Sequence, residues 1–116
     1  MTMAIDFDDS KENLRRIINT GRLDIPGTDE IATRFSALAA SAQRRVVVDL
    51  TAVSFLASIG IRAIIGNAKA LQQRGGKMVL LVGNNVTVTT TLEITGIDDL
   101  IPMFADAAEA EAAALA

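Results

Sequence analysis

Ser58 is the residue of this chain best placed to do chemistry. It follows the run RVVVDLTAVSFLA over 45–57 and stands immediately ahead of a segment with helical periodicity. A hydroxyl at such a junction has two uses. As a helix N-cap it accepts a hydrogen bond from a backbone N–H two or three residues on, worth about 1 kcal/mol. As a phosphoacceptor it would carry about −1.5 to −2 charges beside the free N–H groups of a helix start, which tolerate an anion. The two uses are compatible, because a cap serine is exposed enough to meet a kinase.

The other polar groupings are weaker. Gly75, Gly76 and Lys77 look superficially like a phosphate-binding loop, but Met78 stands where Ser or Thr is needed and the segment leads into a strand instead of following one. Asp98 and Asp99 read as a solvated turn, and Asp6, Asp8 and Asp9 as a solvated terminal cluster rather than a metal site. Arg44 and Arg45 sit at the surface start of a strand, within reach of an acidic partner. His and Cys are both absent, so the chain supplies no Ser–His or Cys–His pair, no thiolate and none of the usual zinc ligands. The net charge of −3, the lack of Tyr and Trp and the four Phe give no basic groove or stacking platform for nucleic acid. The expectation is therefore a non-enzyme without a cofactor. No basic-plus-apolar leader and no apolar run of about 18 residues is present, so a cytoplasmic protein without membrane insertion is expected.

The elements that must position Ser58 follow from periodicity. At 116 residues the chain is expected to be one domain, 1–116. Segments 1–7 and 14–20 read as two short strands of an edge hairpin, turned at 8–10. The Gly- and Pro-bearing stretch 21–27 reads as a loop. A helix is then expected with Thr28 as N-cap, Asp29 and Glu30 in its first turn, and Ile31, Phe35, Leu38 and Ala42 on one face, ending over 43–45. The continuous apolar run Val46, Val47 and Val48 opens a strand over 46–50 with the pattern of one covered on both faces. Residues 51–57 read as a packed-down loop. Ile61, Ile64 or Ile65, Ala68 and Leu71 mark an amphipathic helix that Gly75 and Gly76 stop, and 78–82 is another buried strand. Residues 86–94 are rich in Val and Thr, yet a following strand needs a crossover, so a short helix stopped by Gly96 is expected. Residues 97–103 read as a short edge strand or extended segment, and 104–116 as a C-terminal helix. The sum is an α/β domain with a mixed central sheet of about four or five strands and about four helices packed on it.

The stretch DLTAVSFLASIG, the helix after it and its Gly-Gly turn resemble the signature of STAS domains of the anti-sigma factor antagonist type. That signature is usually Asp-Leu-Ser-x-Val-x-Phe-x-Asp-Ser-Ser-Gly-Leu; the matching residues are Asp49, Leu50, Thr51, Val53, Phe55, Ser58, Gly60 and Ile61, with Gly75 and Gly76 in the turn. GRLD over 21–24 resembles the family's Gly-Glu-Leu-Asp, and LEITGIDDLIPMF over 92–104 resembles its ending. Three positions depart: Ala57 replaces the Asp, Ile59 the second Ser, and Arg22 the Glu.

The resemblance implies a STAS fold and a binding module that sequesters an anti-sigma factor with ATP-dependent serine kinase activity. It places the phosphorylated residue at Ser58, whose modification ends binding. The implied partner surface comprises Asp24, Ala57, Ser58, Ile59, Gly60 and Arg62. The alternative is a STAS domain without a phospho-switch, serving as a scaffold in a stress-signalling assembly or as a transporter accessory subunit.

Overall fold

The strand expected over 46–50 becomes part of the central strand of a five-stranded sheet of order β1-β2-β3-β4-β5. The computed structural model describes residues 4–9, 13–41 and 45–116. Its strands are β1 (Ala4–Asp8), β2 (Arg15–Leu23), β3 (Arg45–Leu56), β4 (Lys77–Leu81) and β5 (Met103–Phe104). Between them lie the helices α1 (Ile25–Ser41), α2 (Ser58–Gln73) and α3 (Val86–Thr95), with a 3-10 turn at Ile97–Asp99 and a closing helix α4 (Ala107–Leu115). β1 pairs antiparallel with β2, and every other pair is parallel. The fold is thus the expected α/β domain with a mixed sheet. The turn position Ser10, the helix positions Ala42 and Gln43, and Arg44 lie outside the described residues.

Both faces of the sheet are covered at its centre, which is why Val46, Val47 and Val48 follow one another without a polar residue. Val46, Val48 and Leu50 point into the layer under α1, α2 and α3, together with Met78, Leu80 and Val82. Val47 points the other way, with Val79 and Leu81, against Ala110 and Ala114 of α4. Those two alanines are fully buried, so α4 approaches the sheet closely with its small side chains. Period-2 alternation sorts these side chains between two apolar layers, and no polar face is left to show in the sequence.

Five expectations are corrected. Residues 51–56 are not a loop, because β3 runs on to Leu56 with two register shifts against β2. Ile18 and Thr20 stand opposite Asp49 and Ala52, while Gly21 and Arg22 stand opposite Val53 and Phe55, so β3 carries one extra residue at each step. Each bulge moves the inward position by one. Leu50, Val53 and Leu56 are accordingly buried at a spacing of three, which matches neither the period of two of a plain strand nor the 3.6 of an α-helix.

The stretch 21–27 is likewise not a loop, since β2 continues to Leu23 and α1 begins at Ile25. Pro26 lies in the first helical turn, where its missing N–H is no loss. Gly27 is required there, because an added Cβ would overlap the Arg22 carbonyl oxygen. Thr28 is therefore inside the helix and buried, not its cap.

Residues 97–103 contain a 3-10 turn before the short edge strand β5. Ile97 and Ile101 are both buried, and the Ile101 N–H donates to the Ile97 carbonyl at 2.8 Å. Phe104 belongs to β5, opposite Leu81, and α4 starts only after Asp106, whose carboxylate accepts the Glu109 N–H at 3.0 Å. The short helix expected over 86–94 is present. Asn85 caps it by accepting from the Val88 N–H, and Gly96 ends it in the left-handed conformation at φ 74°.

Candidate functional site

Ser58 is the first residue of α2 and is exposed. The N-cap is Ala57, which has no side-chain capping bond, so the expected capping role of Ser58 is not the one it takes. What fixes the helix start is backbone. The Ala57 N–H donates to the Leu23 carbonyl at 2.9 Å, and the Ala57 carbonyl accepts from Gly60 and Ile61 at 3.0 and 3.2 Å. The tip of α2 is thereby fastened to the last residue of β2. Gly60 allows this approach: a Cβ there would stand 3.1 Å from both Leu23 Cβ and Leu56 Cδ1. The first N–H groups of α2 have no intrahelical acceptor, and its positive dipole end faces solvent at Ser58.

The parallel pairing of β2 with β3 sets the neighbours. Leu23 lies opposite Leu56 and Arg22 opposite Phe55. The Arg22 guanidinium stacks over the Phe55 ring at 4.5 Å, and its Nε donates to Asp24 Oδ2 at 3.1 Å. Asp24 Oδ1 accepts the Gly27 N–H at 2.9 Å, which caps the start of α1. The two helix starts, one behind Asp24 and one behind Ala57, thus sit beside each other at the carboxyl ends of β2 and β3, where open α/β sheets place their ligands. Ile25 is 64% exposed and Phe55 37%, so this end of the molecule presents apolar surface around the serine. Ile59 is half-buried, Gly60 is buried, and Arg62 is exposed one turn along α2 from Ser58.

Of the residues expected to form the surface, Asp24, Ala57, Ser58 and Gly60 meet at the two helix starts, with Ile59 and Arg62 following on α2. Arg22 was noted in the sequence as a departure beside Asp24, but two further contributors were not. Ile25 was hidden by reading 21–27 as a loop. Asn85 is the other: its amide donates to the carbonyls of Leu50 and Val53 at 3.1 and 2.6 Å. Those carbonyls lie at and beyond the end of the β4 pairing, which covers β3 only as far as Asp49. Asn85 therefore supports the bulged half of β3 that leads to Ser58.

The Gly27 N–H, and after it the Arg22 guanidinium, hold the Asp24 carboxyl below the ordinary carboxylate range. Its contribution to stability is present above the unfolded value and is lost as pH falls through the lower folded one. Asp24→Ala is expected to lower the melting temperature by a few degrees at neutral pH and to flatten the acid limb of the stability profile. Thermal melts of both proteins between neutral and acid pH check this, and parallel curves would refute it.

Among the described residues, no group of three or more Asp and Glu could hold a metal ion, and no helix is long and apolar enough to cross a membrane. Bulged strand, fastened helix and exposed serine define a small α/β domain that offers a surface at one end of its sheet. The STAS domain family model matches residues 7–110, and the chain belongs to that family. Its backbone is similar to an anti-sigma factor antagonist from Mycobacterium paratuberculosis, with a TM-score of 0.87 at 19% identity, over 98% of this chain and 95% of that one. An anti-sigma factor antagonist (STAS) domain protein from Planctomyces limnophilus gives 0.74 at 24% identity, over 97% and 96%. The unphosphorylated form of the anti-sigma factor antagonist SpoIIAA gives 0.68 at 21%, over 95% and 94%; the phosphorylated form, from Bacillus, is also similar. No curated relative matches the sequence.

Proposed function

We propose that this chain, as one STAS domain over 1–116, is an anti-sigma factor antagonist. It is a binding module that sequesters an anti-sigma factor with serine kinase activity in the cytoplasm, and phosphorylation of Ser58 switches it off. The observation that carries the reading is the exposed Ser58 hydroxyl on a helix tip fastened to β2 and bordered by Ile25, Phe55 and the Arg22–Asp24 pair. The naming of similar structures as anti-sigma factor antagonists supports it.

In the switch, the γ-phosphoryl group leaves ATP as ADP departs and forms the new bond to Ser58 Oγ, while the hydroxyl proton passes to a base of the kinase. The domain itself contributes only the acceptor and its presentation. The helix start accommodates the anion through its free N–H groups, so the fold survives the modification. An interface does not accommodate it, because an almost dianionic group must be desolvated there.

Incubation with the partner kinase and ATP, followed by intact-mass measurement, is expected to show one added phosphoryl group on the wild type and none on Ser58→Ala. An unmodified wild type would sink the switch. One observation favours the second reading, a STAS scaffold or transporter accessory subunit without the switch: the Ala57 side chain offers neither charge nor acceptor beside Ser58. Co-purification of a transport ATPase instead of an ATP-binding anti-sigma factor would select it.

A further inference from the structure

Two oxygen atoms behind the α2 tip have no partner among the described residues. They are Asn19 Oδ1 and Thr28 Oγ1, on side chains that are 1% and 3% exposed. Both residues line the same cavity, between α1, α2 and the sheet, whose remaining walls include Leu23, Ile31, Phe35 and Gly60.

The orientation of each group is fixed. Asn19 Nδ2 is shared between the carbonyls of Ile17 at 3.3 Å and Asp49 at 3.4 Å. Turning the amide over would set an oxygen against two carbonyl oxygens, so Oδ1 must face the cavity. Thr28 sits in the first turns of α1, its N–H bonded to the Asp24 carbonyl at 2.9 Å. Its hydroxyl makes no bond back to the helix. An acceptor and a hydroxyl thus share an otherwise apolar chamber without bonding to each other.

The free volume is about 10 Å³, close to what one water molecule needs and too small for an organic ligand. Buried polar groups are almost always satisfied, by protein or by ordered water.

We propose that one water molecule is a built-in part of this layer, donating to Asn19 Oδ1 and bonded to the Thr28 hydroxyl. It joins β2 to α1 by a polar link directly behind Leu23 and Gly60, the residues on which the α2 tip rests. The site is independent of whether Ser58 is phosphorylated.

Thr28→Val tests it by sign. Valine has nearly the same shape and the same branching, so the substitution removes only the hydroxyl. If the oxygens are simply unpaired, losing one removes a burden and the melting temperature rises. If the water is present, the variant strips it of a partner and strands Asn19 Oδ1, and the melting temperature falls by roughly 4–8 °C for a domain of this size. A crystal structure of the unmodified protein to about 1.5 Å is expected to show solvent density within hydrogen-bond distance of both oxygens. An empty chamber, or a valine variant that melts at or above the wild type, overturns the proposal.

Discussion

Replacing Asp49 by Ala is expected to destabilise the domain by about 3 kcal/mol. Asp49 is 3% exposed, and all of its acceptor capacity is used. Oδ2 takes Arg16 Nε and Nη2 at 2.9 and 2.6 Å, and Oδ1 takes the N–H and hydroxyl of Thr51 at 2.9 and 2.6 Å. The Arg16 side chain keeps 31% exposure, so its charge is not stranded when the carboxylate goes, and the cost stays at the lower end for a broken buried pair. The larger loss is local. The bond from the Thr51 N–H closes a turn at the first bulge of β3, where the register against β2 shifts. Asp49→Asn keeps the shape but gives up the charge-assisted pair with Arg16, and an intermediate loss is expected. Urea unfolding of the three proteins measures both steps; Asp49→Ala within about 1 kcal/mol of the wild type would refute the role.

That bulge also explains what could be read from the sequence and what could not. The centre of the sheet was legible because Val46, Val47 and Val48 need two covered faces, and α2 because its Ile and Ala positions repeat at helical spacing and end at Gly75. Residues 51–56 were opaque because two inserted residues turn a period of two into a period of three, which does not read as a strand. The start of α1 was hidden by Pro26 and Gly27, which usually break structure but here fit the first turn, Gly27 for want of room beside the Arg22 carbonyl. Ile97 and Ile101, four apart and both buried, did carry the signal of a helical turn, masked by the strand expected there. At the site, Ser58 and Asp24 were legible as residues, but not the geometry that joins them. That geometry depends on the Ala57 bond to Leu23, a backbone contact to which no side chain contributes.

Ser58→Asp is expected to weaken binding of the proposed anti-sigma partner by about 100-fold or more, while Ser58→Ala binds as the wild type does. The estimate rests on an unpaired or like-charged group in an interface costing several kcal/mol, at 1.4 kcal/mol per decade. Two effects offset the cost of the added charge to the fold itself. An acidic residue at the first position of α2 interacts favourably with the helix dipole, by about 0.3–1 kcal/mol. Arg62, exposed one turn further along, is spaced to pair with it at i and i+4, for about 0.3–0.5 kcal/mol. Both act in the free domain as well as in the complex, so they stabilise the variant without restoring the interface. Ser58→Asp should therefore melt at or slightly above the wild-type temperature, which separates lost binding from lost folding. Aspartate carries one negative charge and a phosphoserine nearly two, so the variant sets a lower bound on the effect of phosphorylation. Isothermal titration of wild type, Ser58→Ala and Ser58→Asp against the partner, with melting curves alongside, gives each quantity separately. Equal affinities for the aspartate and alanine variants would remove Ser58 from the interface and leave the fold, but not the switch, standing.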